Sequence, residues 1–348
     1  MTALQRLVRA HGRSYAAEQA ANPEMRAWTT RDGSSGVAYV VARRWPLGPR
    51  VYVAAGDPLA PPDALRDVAS AFEGASRSRG ASVIWFGTSD ALRDPSRAEL
   101  VVGAEPILDA AGWADTVRRK ASLRAQVARA RNKGVRVRAL AADEPLAPYR
   151  SVLDEWLGTR GLPSLHFLAQ PDILDAPGDR QILAAERGDE TVALLSLCPV
   201  ATRPAALVEW VLRRPDAPNG TAALLIDAAM RRQAERGTRD VSLGLVPLST
   251  VAPRSSQAPS WPARVALSWT RAHARRFYRF DGLERFKAKF QPDRWEPAYL
   301  FTTEPRVGLG TLYAIADAFA GPRSPERLVA RALADALADE ARALLSRR

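Results

Sequence analysis

The sequence has little that could serve redox or metal chemistry: one cysteine, three histidines and three methionines in 348 residues. A single cysteine, Cys198, excludes an internal disulfide framework and fits a reducing compartment. It stands in the apolar run Val192 to Val200, where a thiol reads as buried and inert. His11, His166 and His273 are too scattered to suggest a metal cluster. His166, in GLPSLHFL, reads as a surface side chain, with a place in a cleft as the alternative. No run approaches the roughly 18 apolar residues of a membrane span, and the opening MTALQRLVRAHGRS lacks a secretory core. The chain is therefore expected in the cytoplasm, with any membrane contact peripheral, on the inner face of the plasma membrane. There is no GxxxxGK[ST] loop and no GxGxxG unit, and no cofactor is indicated.

Acidic residues are also in deficit. Asp and Glu number 38 against 50 Lys and Arg, a formal net charge of +12, which favours nucleic acid, anionic lipid or another polyanion as partner. Hydrophobic residues make up 47% and charged residues 25%, a balance that implies a buried core. The length fits two domains of middling size.

The two halves share a layout. Gly36–Ala42 and Arg50–Ala55 read as strands; then come the turn GDPLAPP, a helix from Asp63 to about Arg77, and the strand Ala81–Phe86. Thr191–Val200 and Ala205–Leu212 read as strands in the second half. The turn RRPDAPNG, a helix Thr221–Arg236 and the strand Asp240–Leu245 follow them. Strand, strand, turn, helix, strand is the middle of an acetyltransferase-like (GNAT) unit. The expected fold is therefore α/β (α+β), a tandem pair of such units with a basic linking helix. The boundary is placed at 140/141, with two unrelated α/β units as the alternative. Further helices are expected over Trp113–Asn132, Tyr149–Gly158, Ala263–Phe277, Leu309–Ala320 and Pro325–Ser346.

Three groups of residues can carry chemistry. In TVRRKASLRAQVARARNKGVRVR, Arg118, Arg119, Lys120, Arg124, Arg129, Arg131, Lys133, Arg136 and Arg138 accumulate without an acidic residue from Thr116 to Ala142. Like-charged pairs such as Lys120–Arg124 and Arg129–Lys133 weaken a bare helix, but phosphates lying across them relieve the repulsion. Leu123 and Val127 are expected to pack inward. A solvated basic face is the plainer alternative.

The second group is RAHARRFYRFDGLERFKAKFQPDRWEP, where cations alternate with Phe277, Tyr278, Phe280, Phe286 and Phe290. Such aromatics can stack bases or form a core beneath a basic rim. Lys287 and Lys289, two apart, would share one side of an extended segment. In the third group, Glu209 and Trp210 are neighbours on a strand expected to be buried. A buried carboxylate needs a partner, and Arg213 is the candidate. A structural ion pair is as reasonable as a functional one. The turn DAPNGTA has one glycine where a pyrophosphate loop needs several, which argues against acetyl-CoA as donor.

Several segments together resemble the soluble catalytic domain of the phosphatidylglycerol lysyl- and alanyltransferases, the multiple-peptide-resistance factor family. They are GDPLAPP at Gly56–Pro62, SLRAQVARARNKGV at Ser122–Val135, PDAPNGTAALLIDAAM at Pro215–Met230, SLGLVPLS at Ser242–Ser249 and FYRFDGLERFKAKFQPDRWEPAYL at Phe277–Leu300. The tail RVGLGTLYAIADAF is similar to the family's closing helix. The resemblance implies a tandem acetyltransferase-like fold and passage of an aminoacyl group from aminoacyl-tRNA to a hydroxyl of phosphatidylglycerol. It also implies that the two substrates meet in a tunnel between the halves.

The family's KxK/R motif falls on Lys287 and Lys289, and its acidic residue and arginine fall on Glu209 and Arg213. The family more often has Asp at the acidic position, with slightly different spacing. Better-known members carry a multi-span membrane domain, which this sequence does not show. Lipid would then be reached peripherally, through the helix Leu309–Ala320 or the tail with Leu333, Leu337, Leu344 and Leu345; packing against the body is the alternative for each.

An aminoacyl ester is already activated, so alignment and oxyanion stabilisation suffice. Lys287 and Lys289 are candidates to neutralise a tRNA or lipid phosphate or the oxyanion. Glu209 is a candidate to bind the aminoacyl ammonium or to act as base. The basic segment Arg118–Lys133 is the candidate tRNA surface.

Overall fold

A computed structural model describes residues 1–159, 165–170, 174–175, 177–273 and 280–327. The sequence-based expectations for Phe277, Tyr278 and the tail leucines Leu333, Leu337, Leu344 and Leu345 lie outside these residues, as does most of the expected helix Pro325–Ser346.

The elements run α1 (Ala3–His11), β1 (Arg26–Thr29), β2 (Gly36–Arg43), β3 (Arg50–Ala55), α2 (Leu65–Arg77), β4 (Ser82–Thr88) and β5 (Ala98–Asp109). Next come α3 (Trp113–Arg119), α4 (Ala121–Asn132), β6 (Val135–Ala139), α5 (Arg150–Gly158), β7 (Gln181–Arg187), β8 (Glu190–Val200) and β9 (Ala205–Arg213). The rest are α6 (Thr221–Glu235), β10 (Asp240–Ser242), β11 (Val246–Pro247), α7 (Trp261–His273), α8 (Phe280–Ala288), β12 (Arg294–Thr302) and α9 (Leu309–Ala320).

The strands form one sheet in the order β1-β2-β3-β4-β12-β5-β10-β9-β8-β7-β6, with β11 also pairing β5. The repeat is visible in the pairing. β2 and β3 are antiparallel, and β3 runs parallel to β4 across the α2 crossover. β8 and β9 are antiparallel, and β9 runs parallel to β10 across α6. A crossover helix is what a parallel pair requires. In each unit the strand after the crossover then meets a long antiparallel neighbour, β12 beside β4 and β5 beside β10. This is a tandem acetyltransferase-like fold, and the antiparallel β12–β5 ladder is the seam where the two units join.

One difference between the units matters. The β3–β4 parallel ladder holds for five residue pairs, Val51↔Ser82 to Ala55↔Phe86. The β9–β10 ladder holds for three, Ala205↔Asp240 to Leu207↔Ser242, and then the strands part. The expected strand Asp240–Leu245 thus ends at Ser242, because Gly244 turns the chain away at φ +81°, a value that glycine accepts without strain.

Packing follows the apolar pattern. α2 lays Val68, Ala69 and Phe72 on Tyr39, Tyr52 and Trp85. α6, with Leu224, Leu225, Ile226 and Met230, packs on β8 and β9 together with Leu123 and Val127 of α4. Leu123 and Val127 are therefore inward, as their spacing predicts. Cys198 is fully buried, and burial pushes its thiol well above the usual range. The expected single helix Trp113–Asn132 is two helices, broken at Lys120, whose backbone is extended (φ −89°, ψ 92°). Lys120 brings no side-chain hydrogen bond to the start of α4.

Candidate functional site

The opening between β9 and β10 collects the titratable groups. On β9, Leu197↔Val208 is followed by Ser196↔Trp210, so Glu209 is an extra residue in a β-bulge. A bulge re-aims one side chain out of the alternation. Here it directs Glu209 toward the face that carries Cys198 and Ser196. Arg180 grips it there, donating from Nε to Oε2 at 2.7 Å and from Nη2 to Oε1 at 2.9 Å, and Ser196 Oγ donates to Oε2 at 3.2 Å. The Glu209 side chain is 1% exposed and that of Arg180 5%. Glu18 approaches the same guanidinium at 4.0 Å, and burial raises the Glu18 carboxyl although Arg180 opposes it.

The expected pairing of Glu209 with Arg213 is not what the fold provides. Arg213 donates instead to the Ala217 carbonyl, at 3.4 Å. It lies past the bulge, on the side where α4, α6 and α8 pack, so four residues along the strand end on opposite faces. Arg180, the true partner, precedes β7 and is 29 residues distant in sequence.

Lys287 and Lys289 do not lie in an extended segment. α8 carries Lys287 in its last turn and Lys289 just beyond, so the two diverge. Lys287 Nζ enters the opening and donates to the carbonyls of Gly244 at 2.8 Å and Leu245 at 3.1 Å. A Cβ on Gly244 would sit 3.6 Å from that Nζ, 3.5 Å from Leu207 and 3.8 Å from the Val208 carbonyl. The ammonium is thus beside the splay and one residue from the Glu209 bulge. Burial pulls Lys287 down to about 7, and Glu105 works the other way.

Glu105 is on β5, opposite Glu296 of β12. It accepts from Ser242 Oγ at 3.0 Å, and burial raises its carboxyl, with Ser242 and Lys287 opposing. Sequence reasoning missed Glu105 and Arg180. A carboxylate inside the alternating apolar run AELVVGAEPILD was the available signal for Glu105; nothing local marked Arg180.

Lys289 faces the other way. Its Nζ donates to Gln126 Oε1 of α4 at 3.1 Å and lies over the rings of Phe286 (4.2 Å) and Phe290 (4.9 Å). Burial, and then the nearby Arg213, lower its pKa. The two cations therefore stand near enough to repel each other.

The basic segment is not one surface. Helical spacing puts Gln126, Arg129 and Lys133 on one flank of α4 and Arg124 and Arg131 on the other. Arg131 reaches Asp227 of α6 at 3.1 Å, while Arg124 donates to the Arg118 carbonyl. Arg118 pairs with Asp115, and Arg119 donates to Thr116 at 3.3 Å. Arg138 is tied to Glu144 and Glu186, both at 2.8 Å. The flank that meets Lys289 is therefore the one bearing Arg129 and Lys133, both exposed; Lys120 is half-buried at the break. The single glycine of DAPNGTA has a different task from holding phosphate. Gly220 sits at φ +98°, and a Cβ there would come within 2.1 Å of the Gln126 carbonyl, so α4 lies across the start of α6.

His166 is half-buried, with Nδ1 2.8 Å from Glu24. No group of three or more His, Cys, Asp or Glu among the described residues could hold a metal.

Fold and site together define a tandem acetyltransferase-like chain whose second unit opens between β9 and β10 onto buried lysine and carboxylate groups. Residues 5–302 match the family described as phosphatidylglycerol lysyltransferase, C-terminal, and the chain belongs to that family. It is 28% identical over 284 residues to the lysylphosphatidylglycerol biosynthesis bifunctional protein LysX of Mycolicibacterium vanbaalenii, covering 76% of this chain and 25% of that protein. LysX of Mycobacterium ulcerans is 27% identical over 308 residues, covering 81% and 28%. The chain spans about a quarter of the length of these relatives.

Among solved structures, it is similar to the C-terminal domain of a putative lysylphosphatidylglycerol synthetase from Agrobacterium fabrum. The TM-score is 0.73 at 22% identity, over 91% of this chain and 94% of that one. L-PGS from Bacillus licheniformis gives 0.71 at 21%, over 87% and 91%. At these identities the likeness speaks for the fold.

Proposed function

We propose that this chain transfers an aminoacyl group from aminoacyl-tRNA to a hydroxyl of phosphatidylglycerol or a related lipid, at the opening between β9 and β10. The observation that carries the reading is Lys287. Its Nζ donates to two adjacent carbonyls, Gly244 and Leu245. A neutral amine making both bonds keeps one lone pair, and the protonated form places its third N–H at that position. With a pKa near 7, the group can take a proton from the acceptor hydroxyl and return it at neutral pH.

In the transfer, the lipid oxygen forms a bond to the ester carbonyl carbon and the bond from that carbon to the ribose oxygen breaks. The proton leaving the hydroxyl passes by way of Lys287 to the ribose oxygen. No external activation is needed, because one ester replaces another.

The remaining residues fit the substrates' charges. Glu18 and Glu209 both approach Arg180, an acidic surrounding suited to the aminoacyl ammonium. Lys289 and Arg213, with Arg129 and Lys133 on the adjoining flank of α4, suit the phosphates of the tRNA acceptor end. Membership of a lysyltransferase family and the net charge of +12 support the same reading.

The test is to incubate the purified chain with tRNA charged with labelled amino acid and with phosphatidylglycerol vesicles. Label is expected in the lipid extract. Label remaining on tRNA with tight, salt-sensitive binding would replace the reading with an RNA-binding module. Turnover with acyl-CoA alone would replace it with an acyl-CoA N-acyltransferase, and label on an added peptide would move the acceptor.

A further inference from the structure

Among the described residues, most of the large apolar side chains left in water fall on α7, the start of α9 and the β2–β3 turn. α7 exposes Trp261 (68%) and Val265 (56%), with Trp269 one turn further along the same stripe and also largely exposed. Arg264 and Arg271 run beside that stripe at helical spacing, and Ala263 and Leu267 turn inward against the body.

The stripe continues onto neighbouring elements. Ser260, just before Trp261, donates its N–H to the Val307 carbonyl at 3.0 Å. Leu309, two residues on, is exposed at the start of α9. The next residue, Gly310, lies against Arg44 and Trp45 of the β2–β3 turn, where Trp45 also packs on Tyr313 at 5.5 Å. That turn ends in Leu47, which is 97% exposed. Trp261, Val265, Leu309, Trp45 and Leu47 thus form a chain of neighbours across three elements.

Charge selects the occupant. Arg264 and Arg306 are exposed on this side, and the nearby Glu304 is already paired with Arg44. Tryptophans in a rim of arginine suit a lipid headgroup layer, where indole rings settle at the boundary and guanidinium groups meet phosphate. An interfacial helix of this kind lies in the surface plane without crossing it, and no helix among the described residues is long and apolar enough to cross.

We infer that this face, α7 with the start of α9 and the β2–β3 turn, docks the chain on an anionic phospholipid surface. The inference rests on the proposed lipid acceptor and names how that acceptor is reached. It also changes the part played by α9. Most of that helix packs against the first unit through Ala314 and Ala318, so Leu309 at its start is what it contributes to the surface.

The experiment is co-sedimentation of the full chain with vesicles of phosphatidylglycerol and phosphatidylcholine, or of phosphatidylcholine alone. The wild-type chain should sediment with the anionic vesicles. The double variant Trp261→Glu/Val265→Glu should lose about tenfold or more in vesicle affinity, and Leu47→Glu a smaller factor, with unchanged melting and unchanged tRNA affinity. Variants that sediment like the wild type overturn the inference. So does a wild-type dimer that Trp261→Glu splits in sedimentation velocity, since the face would then belong to a second copy.

Transfer to a short-chain, monomeric phosphatidylglycerol separates the two readings. The variants should keep that transfer while losing it on vesicles. If the wild-type chain labels neither acceptor but still needs Trp261 to bind vesicles, the surface stands and the proposed reaction fails.

Discussion

Arg180 and Glu209 meet through two parallel hydrogen bonds, at 2.7 and 2.9 Å, in a site almost closed to water. The pair joins the loop before β7 to the bulge in β9, and so fixes the wall of the opening that Lys287 enters from the other side. Removing one partner of a buried ion pair leaves the other charge uncompensated, at a cost on the order of 3–5 kcal/mol. Arg180→Met should lower stability by that amount, measured by calorimetry.

Glu209→Gln keeps the shape and one acceptor oxygen. If Glu209 binds the aminoacyl ammonium, KM for charged tRNA should rise about tenfold with kcat largely kept. A fall in kcat at unchanged KM would assign it proton transfer instead.

Lys287 gives a pH dependence of definite sign. Its folded pKa of about 7 lies below the usual lysine value of 10.5, so the folded chain holds fewer protons than the unfolded one between these values. Stability therefore rises with pH across that window as far as this group is concerned, and below about pH 7 its penalty is complete. The transfer rate should rise through about pH 7 as the neutral amine forms. Glu105 favours the charged lysine, so Glu105→Gln should move the midpoint to lower pH. A rate profile that stays flat from pH 6 to 8 in the wild-type chain would count against proton transfer by Lys287.

The flanks of α4 can be told apart by charge reversal. Arg129→Glu with Lys133→Glu should weaken tRNA binding and reduce the salt slope by about 2, one for each phosphate no longer neutralised. Arg124→Glu with Arg131→Glu should have a smaller effect, since Arg131 is engaged with Asp227. Equal losses of affinity from both pairs would show that the whole helix is covered.

Gly220→Ala tests the crossing of α4 over the start of α6. The position combines φ +98° with a 2.1 Å approach to the Gln126 carbonyl. A loss of about 1–3 kcal/mol from backbone strain alone is expected, read as a lowered unfolding midpoint. Gly80 is also at positive φ, but a Cβ there would meet nothing within 4 Å, so Gly80→Ala should cost less.

Much of the framework is legible in the sequence, because local patterns determine it. α9 falls over Leu309–Ala320 and β3 over Arg50–Ala55, as apolar spacing and turn residues predict. β5 and β12 are not legible in this way. β5 is interrupted by Glu99, Gly103, Glu105 and Pro106, residues that lower local strand preference and are tolerated because neighbours on both sides hold the strand. The helix break at Lys120 likewise carries no glycine or proline to announce it.

Legibility of the site followed the same division. Residue type and spacing singled out Lys287, Lys289, Glu209 and the arginines of α4, since clustered cations and a carboxylate on an apolar strand are unusual in any context. Their partners were not legible. The bulge at Glu209 reversed the face of one side chain and so replaced Arg213 with Arg180.

Short-range pattern and composition thus set the strand-strand-helix-strand middle of each unit, the excess of positive charge and the identity of the chemical groups. That Lys287 and Lys289 point apart, that Glu105 stands near one and Arg213 near the other, and that Trp261 and Trp269 of α7 face outward came from the packing of distant segments. Those outcomes depend on which strands part and which helix crosses which, and long-range packing alone settles that.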